Sequence, residues 1–258
     1  MRLPFLLGDS VDDKNIKLIL AYDGGLYHGW QRQRNKLTIQ GVIEEKIQMM
    51  VEEPIKLIAS GRTDAGVHAF NQVCNFLTTS KIGPEAIKRG LNSLLPDDIF
   101  VKDTEYVPLE FHARYNARSK TYEYRILNRE YPDVFLRNYL WHIRMSLDKE
   151  KMLKCLPFLV GKHDFSSFRS SGSGDTNAVR SIMRVELHGP EDGHLRFVIE
   201  ADGFLRHMVR NIVGTVVEAG LNKISIDRFR DILESRDRRL AGKMAPPQGL
   251  YLVEVQYN

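Results

Sequence analysis

Cysteine is nearly missing from this sequence: its 258 residues include two, Cys74 and Cys155. Two cannot make a disulfide scaffold, and no Cys/His group has the spacing of a zinc site, so a reducing cytoplasm is the expected compartment. Long apolar runs are missing too. Leu3-Pro4-Phe5-Leu6-Leu7 is too short and too broken for the apolar region of a signal peptide, and no run approaches membrane-spanning length. The formal charge is only +4, so any polyanion site must come from a local concentration of Arg and Lys. No internal repeat appears, nor the glycine-aromatic signature of the common RNA-recognition domain. No cluster of carboxylates or histidines suggests a metal centre, which leaves a metal-dependent hydrolase without ligands. What remains is an ordinary globular composition, 43% hydrophobic and 27% charged.

The length suits one large domain or two modest ones. Residues 1–14 read as a tail. Ile16 to Tyr22 is expected to be a strand, and a helix to run from an N-cap at Thr38 through Ile39, Ile43 and Ile47 to Pro54. Two further strands are expected at Ile55 to Ile58 and Gln72 to Thr78. A second helix opens at Pro84, and a strand runs from Ile99 to Val107. Strand, helix, strand, strand, helix, strand is the ferredoxin-like order, an antiparallel sheet with both helices on one face. The second part repeats the ingredients. A strand covers Thr121 to Ile126, a helix Asp148 to Val160 with a kink at Pro157, and strands Val179 to His188 and Leu195 to Ala201. An amphipathic helix at Leu205 to Val217, a helix after Ser225 and a last strand complete it. The expected fold is therefore α+β, with two ferredoxin-like, RRM-like halves sharing an extended antiparallel sheet, helices on one face and a site cleft between the halves. The expected division is 15–108 and 109–258.

Three stretches carry chemistry. Ser60-Gly61-Arg62-Thr63-Asp64-Ala65-Gly66-Val67-His68-Ala69 joins two strands, so it has the composition of a hairpin connection. It also has the composition of a loop that presents one carboxylate to a planar ligand. Arg62 and Asp64, two apart, face the same way in extended backbone and are expected to pair, with His68 and Phe70 adding aromatic surface. Arg114, Arg118, Lys120 and Arg125 are four cations within twelve residues, interleaved with Tyr122 and Tyr124. That pattern suits phosphate contacts beside base stacking, and equally a charged edge strand over the core. Arg206 and Arg210 are spaced i, i+4 on the polar side of the Leu205–Val217 helix, with His207 and Asn211 beside them, where a solvated face is the ordinary reading. Arg169 is a candidate RNA contact after His163-Asp164-Phe165-Ser166-Ser167-Phe168, and Arg228 to Lys243 is a further basic stretch.

Gly-Arg-Thr-Asp-Ala-Gly-Val-His-Ala resembles the catalytic loop of the TruA family of tRNA pseudouridine synthases, and Gly29 to Gln33, Lys120 to Arg125 and Phe204 to Gly214 resemble further family elements. The resemblance runs from Gly29 to the last strand. It departs at Ser173, where many relatives carry Cys. It implies isomerisation of uridine at positions 38, 39 and 40 of the tRNA anticodon stem-loop, without metal or organic cofactor, by a cytoplasmic homodimer. It implies Asp64 as nucleophile, Arg210 as its partner, Tyr122 as the active-site tyrosine, Leu250 as the apolar residue against the target base and Arg62 filling the space the base leaves. Attack on C1′ and a glycal route both remain open. The alternative is a non-catalytic RNA-binding protein of the same fold.

Overall fold

The computed structural model describes residues 13–170 and 177–257. Of the expected tail, only Asp13 and Lys14 fall among these, and Ser173 lies outside the described residues. Strand β1 (Lys14–Tyr22) leads to helix α1 (Ile39–Val51), strand β2 (Ile58–Ala59), strand β3 (His68–Thr78), helix α2 (Pro84–Leu94) and strand β4 (Ile99–Val107). The second half runs through β5 (Ser119–Asn128), β6 (Trp141–Ile143), α3 (Lys149–Cys155), β7 (Gly161–Asp164) and β8 (Val179–Glu191). It ends with β9 (His194–Ala201), α4 (Met208–Gly220), α5 (Ile226–Ser235) and β10 (Leu250–Gln256).

Capping fixes the helix starts. Thr38 accepts from the Gly41 amide at α1, and Ser225 does the same for Arg228 at α5. Gly83 is the N-cap of α2 and Pro84 its first residue, where a missing N–H costs nothing. Pro157 ends α3 early; a single 3-10 turn, Leu156–Leu159, finishes the segment.

The strands form one sheet in the order β4-β1-β3-β10-β5-β9-β8-β7, with β2 beside β3 and β6 beside β5. Each half has the order expected of a ferredoxin-like unit: β4-β1-β3-β2 and β10-β5-β9-β8. The sheet is mixed, not wholly antiparallel, because β10 pairs parallel to β3 and β6 parallel to β5. The apolar face is continuous across the join, from Leu18 and Leu20 through Ala69 and Leu252 to Tyr122 and Ile199.

The join explains where the functional loop sits. The strand expected at 55–58 shrinks to Ile58–Ala59, because side chains of α1 take the backbone groups before it. Buried Glu44 accepts the Leu57 amide at 2.9 Å, and Gln40 donates to the Leu57 carbonyl at 3.3 Å. Strand β2 stops at Ala59, opposite Cys74, so the His68–Ala69 end of the same β3 edge is left to β10, which pairs there through Tyr251 with His68 and Leu252 with Ala69. The β2–β3 loop is thus held at the meeting line of the halves.

Helix α4 is not half-solvated. Arg210, Asn211 and Thr215 are buried along with its apolar stripe. A segment from Ala241 to Ala245 crosses it so closely that a Cβ on Gly214 would lie 1.7 Å from the Lys243 carbonyl oxygen. Arg238 fastens that crossing by donating to Asn211 Oδ1 at 2.8 Å and to the carbonyls of Ala241 and Gly242.

Candidate active site

The loop at 60–67 is tied at several points. The Ser60 hydroxyl donates to Gln72 Oε1 at 2.7 Å, and Gln72 Nε2 donates to the Gly61 carbonyl at 2.9 Å. Thr63 is held from two sides, by the Tyr22 hydroxyl at 2.8 Å and by the Trp30 amide, which donates to its carbonyl at 3.0 Å. Trp30 is 2% exposed, so the Gly29 to Gln33 element contributes an inward ring and a backbone clamp, not an exposed base platform. Gly66 has φ +78° and lies against Pro247, which would meet a Cβ at 3.0 Å; both conditions favour glycine.

These ties aim Asp64 at α4. Arg210 Nη1 lies 3.0 Å from Asp64 Oδ2, and His207 Nε2 lies 3.4 Å from Oδ1. Arg210 is fixed in turn: Nε donates to the Ala245 carbonyl at 2.8 Å, while the Ala245 amide donates to the Arg210 carbonyl at 3.0 Å. Burial pushes the Asp64 carboxyl toward a higher pKa, but His207 and then Arg210 outweigh it and hold the group below the usual carboxylate range. Asp64 keeps 28% of its side-chain surface open against 8% for Arg210, so a charged carboxylate faces solvent from a largely closed cradle.

His207 carries a contact to Asp64 that sequence reasoning placed only beside Arg210. It precedes α4 rather than lying within it, with φ +63°, in the left-handed region uncommon for residues other than glycine. That conformation at the helix start, which residue pattern does not disclose, turns its ring to the carboxylate. Arg206 also precedes α4 and is exposed, so the i, i+4 pair with Arg210 on one helix does not form.

The expected Arg62–Asp64 pair is absent. Arg62 is exposed and makes no ion pair with any described residue, because Asp64 enters a turn, closed by the Val67 amide on its carbonyl at 3.1 Å. His68 and Phe70 do not flank the carboxylate either. They stack on Tyr251, at 4.8 and 5.1 Å, on the sheet face opposite Tyr122. Arg125 belongs to that opposite face as well, pairing with Glu123 at 2.7 Å and lying over Tyr251 at 4.2 Å.

Tyr122 lies on the helix face of β5, 7% exposed, with its ring edge-on to Phe204 at 5.0 Å. Burial, with Tyr22 and Asp64 adding to it, raises its hydroxyl pKa. Leu250 opens β10 on the same face, paired with Tyr124, and is buried. Arg114 and Arg118 are exposed, the first lying over Tyr115 at 5.8 Å. Arg169 is half-buried and acts on Asp164. In the Arg228 to Lys243 stretch, Arg230, Arg236 and Arg239 pair with Asp227, Asp164 and Asp237, so that stretch is less available to phosphate than its composition implies. Cavities of about 480 and 510 Å³ lie elsewhere, lined by none of Asp64, Tyr122 and Arg210. Among the described residues no three His, Cys, Asp or Glu side chains converge on a metal position, and no helix is long and apolar enough to cross a membrane.

The sequence matches the family described as tRNA pseudouridine synthase over residues 18–116 and 158–258. It is 48% identical over 244 residues to a protein of Acetivibrio thermocellus named tRNA pseudouridine synthase A, covering 95% of this chain and 100% of that one. A protein of the same name from Thermoanaerobacter sp. strain X514 is 47% identical with the same coverage. Among solved structures, a Cbf5–Nop10–Gar1 complex gives a TM-score of 0.37 at 11% identity, covering 92% of this chain and 57% of that one, a likeness too slight to bear on the site.

Proposed function

The chain belongs to the tRNA pseudouridine synthase family, and from that premise we propose that it isomerises uridine to pseudouridine at positions 38, 39 and 40 of the tRNA anticodon stem-loop, with Asp64 as nucleophile. The observation that carries this is the Asp64 carboxylate, bracketed by Arg210 and His207 on its two oxygens and partly open to solvent. The reaction breaks the bond from ribose C1′ to uracil N1, turns the base and joins C1′ to C5. The C5 hydrogen leaves as a proton and N1 gains one, so the net change is an isomerisation. An ionised Asp64 serves it in either of two ways: by attacking C1′ and being displaced when C5 attacks, or by removing a sugar proton to give a glycal.

The base must leave the stack to be reached, at a cost of a few kcal/mol. Tyr122 would stack on the turned-out ring, returning roughly 1–3 kcal/mol, with Leu250 covering it. Arg62, exposed and without an ion pair among the described residues, would fill the vacated space, and Arg114, Arg118 and Arg169 would meet phosphates. No metal or organic cofactor enters the proposal. A cytoplasmic homodimer with tRNA spanning both subunits belongs to the same proposal.

The test is tritium release from tRNA labelled at uridine C5, since only C5 glycosylation expels that hydrogen. Release is expected from the unaltered chain, with carbodiimide adducts mapping to positions 38–40. RNA binding without release would leave a non-catalytic RNA-binding protein of the same fold; release with adducts elsewhere would overturn the positions.

A further inference from the structure

Lys120 has no place in the chemistry above, yet it is nearly as buried as Arg210. It lies two residues before Tyr122 on β5, so both side chains leave the same sheet face. Its stem passes against Gly61, where a Cβ would lie 3.5 Å from Lys120 Cε. The residue is 8% exposed, and its ammonium makes no hydrogen bond or ion pair with any described residue. An ammonium on so buried a stem keeps only part of its hydration and has no protein partner among the described residues, a deficit that an anion would offset.

Its charged surroundings point to which anion. Arg114 acts on Lys120 from the segment before β5, and Arg180 from β8, where it packs against Gly203. Asp202, at the end of β9, opposes them, but its Oδ1 already accepts the Ser181 amide at 3.0 Å. Arg62 and Asp64 lie one and three residues beyond Gly61, the first free and the second engaged with Arg210 and His207. Three cations against one committed carboxylate leave an excess of positive charge beside the loop that carries Asp64.

We propose that Lys120, with Arg114 and Arg180, forms a subsite for the phosphodiester flanking the target nucleotide, fixing its backbone while the base is turned toward Asp64 and Tyr122. The proposal rests on the functional reading above. It also has a consequence that ordinary surface cations lack. Burial, then Arg114 and Arg180 against the opposing Asp202, lower the Lys120 pKa to about 8 in the free protein. A phosphodiester favours the charged form, so binding takes up a proton once pH exceeds that value, and affinity falls as pH rises further.

The test uses an Asp64→Asn chain, to prevent turnover, and a fluorescent anticodon stem-loop RNA in which phosphodiesters flanking the target uridine are replaced singly by methylphosphonate. Anisotropy titrations should show Lys120→Met weakening binding about tenfold and flattening the log-salt slope by about one unit. One methylphosphonate should cost Lys120-containing protein a similar factor and Lys120→Met protein almost nothing more, the signature of direct coupling. Equal costs in both proteins, or an unchanged salt slope, overturn the subsite. If Lys120→Met does not fold, the Lys120-containing chain decides: affinity that stays level between about pH 7 and pH 9.5 overturns it. Tritium release by the unaltered chain is measured separately. Release without coupling removes only the phosphate subsite, whereas absence of release removes the functional reading itself.

Discussion

Replacing Arg210 by Met keeps much of the stem's bulk and removes the charge from Asp64. Two contacts go with it: the 3.0 Å approach to Asp64 Oδ2 and the 2.8 Å hydrogen bond to the Ala245 carbonyl. In the unaltered chain burial raises the Asp64 pKa while His207 and Arg210 lower it, with a net downward shift. With the guanidinium gone, His207 alone opposes the effect of burial, so the acid limb of the pH–rate profile should move to higher pH. The neutral-pH rate should fall as well, since the orphaned Ala245 carbonyl loosens the segment that holds the site. A depressed carboxylate pKa adds stability above its unfolded value and loses it as pH falls through the folded one. The stability gap between the unaltered chain and Arg210→Met should therefore be widest near neutrality and narrow on acidification. Arg210→Lys should shift the limb less, because a cation remains although the forked geometry is lost. The assay is single-turnover pseudouridylation from about pH 5 to pH 9 with saturating enzyme, so that weakened binding does not imitate the effect. A Met variant that is slower with its acid limb unmoved would make Arg210 an RNA or structural contact and refute the reasoning.

Asp64→Asn should abolish tritium release while tRNA affinity stays within about tenfold, and turnover near that of the unaltered chain would remove Asp64 from the mechanism. Tyr122→Ala should weaken RNA binding by roughly 1–3 kcal/mol in anisotropy titrations. Tyr122→Phe should bind normally and turn over, since burial keeps the hydroxyl protonated at neutral pH; a nearly inactive Phe variant would instead assign that hydroxyl a proton-transfer or hydrogen-bonding role. Gly214→Ala, which sets a methyl 1.7 Å from the Lys243 carbonyl oxygen, should destabilise urea unfolding by about 2–3 kcal/mol; no change would mean that the crossing over α4 is loose.

Periodicity and capping determined α1, α2 and β4 from the sequence, because the spacing of apolar residues within each element marks its buried face whichever element it packs against. The loop bearing Asp64 was legible from its unusual run of residues between two strands. The surroundings of Asp64 were not. Whether Arg62 reaches Asp64 depends on backbone angles, and the turn closed by Val67 sends the guanidinium to solvent. A polar stripe on α4 looks solvent-facing in a helical projection; in the fold Arg210 and Asn211 are buried and find partners on remote segments, Arg210 at Asp64 and the Ala245 carbonyl, Asn211 at Arg238 and the Phe168 carbonyl. His207 reaches Asp64 through a left-handed backbone conformation at the helix start, which residue type alone does not require. The halves meet through two parallel residue pairs between β3 and β10, segments remote in sequence. Local pattern reports which face of an element is apolar, whereas the carboxylate's partners are set by which remote elements come to lie against that loop, and the junction of the two halves decides that.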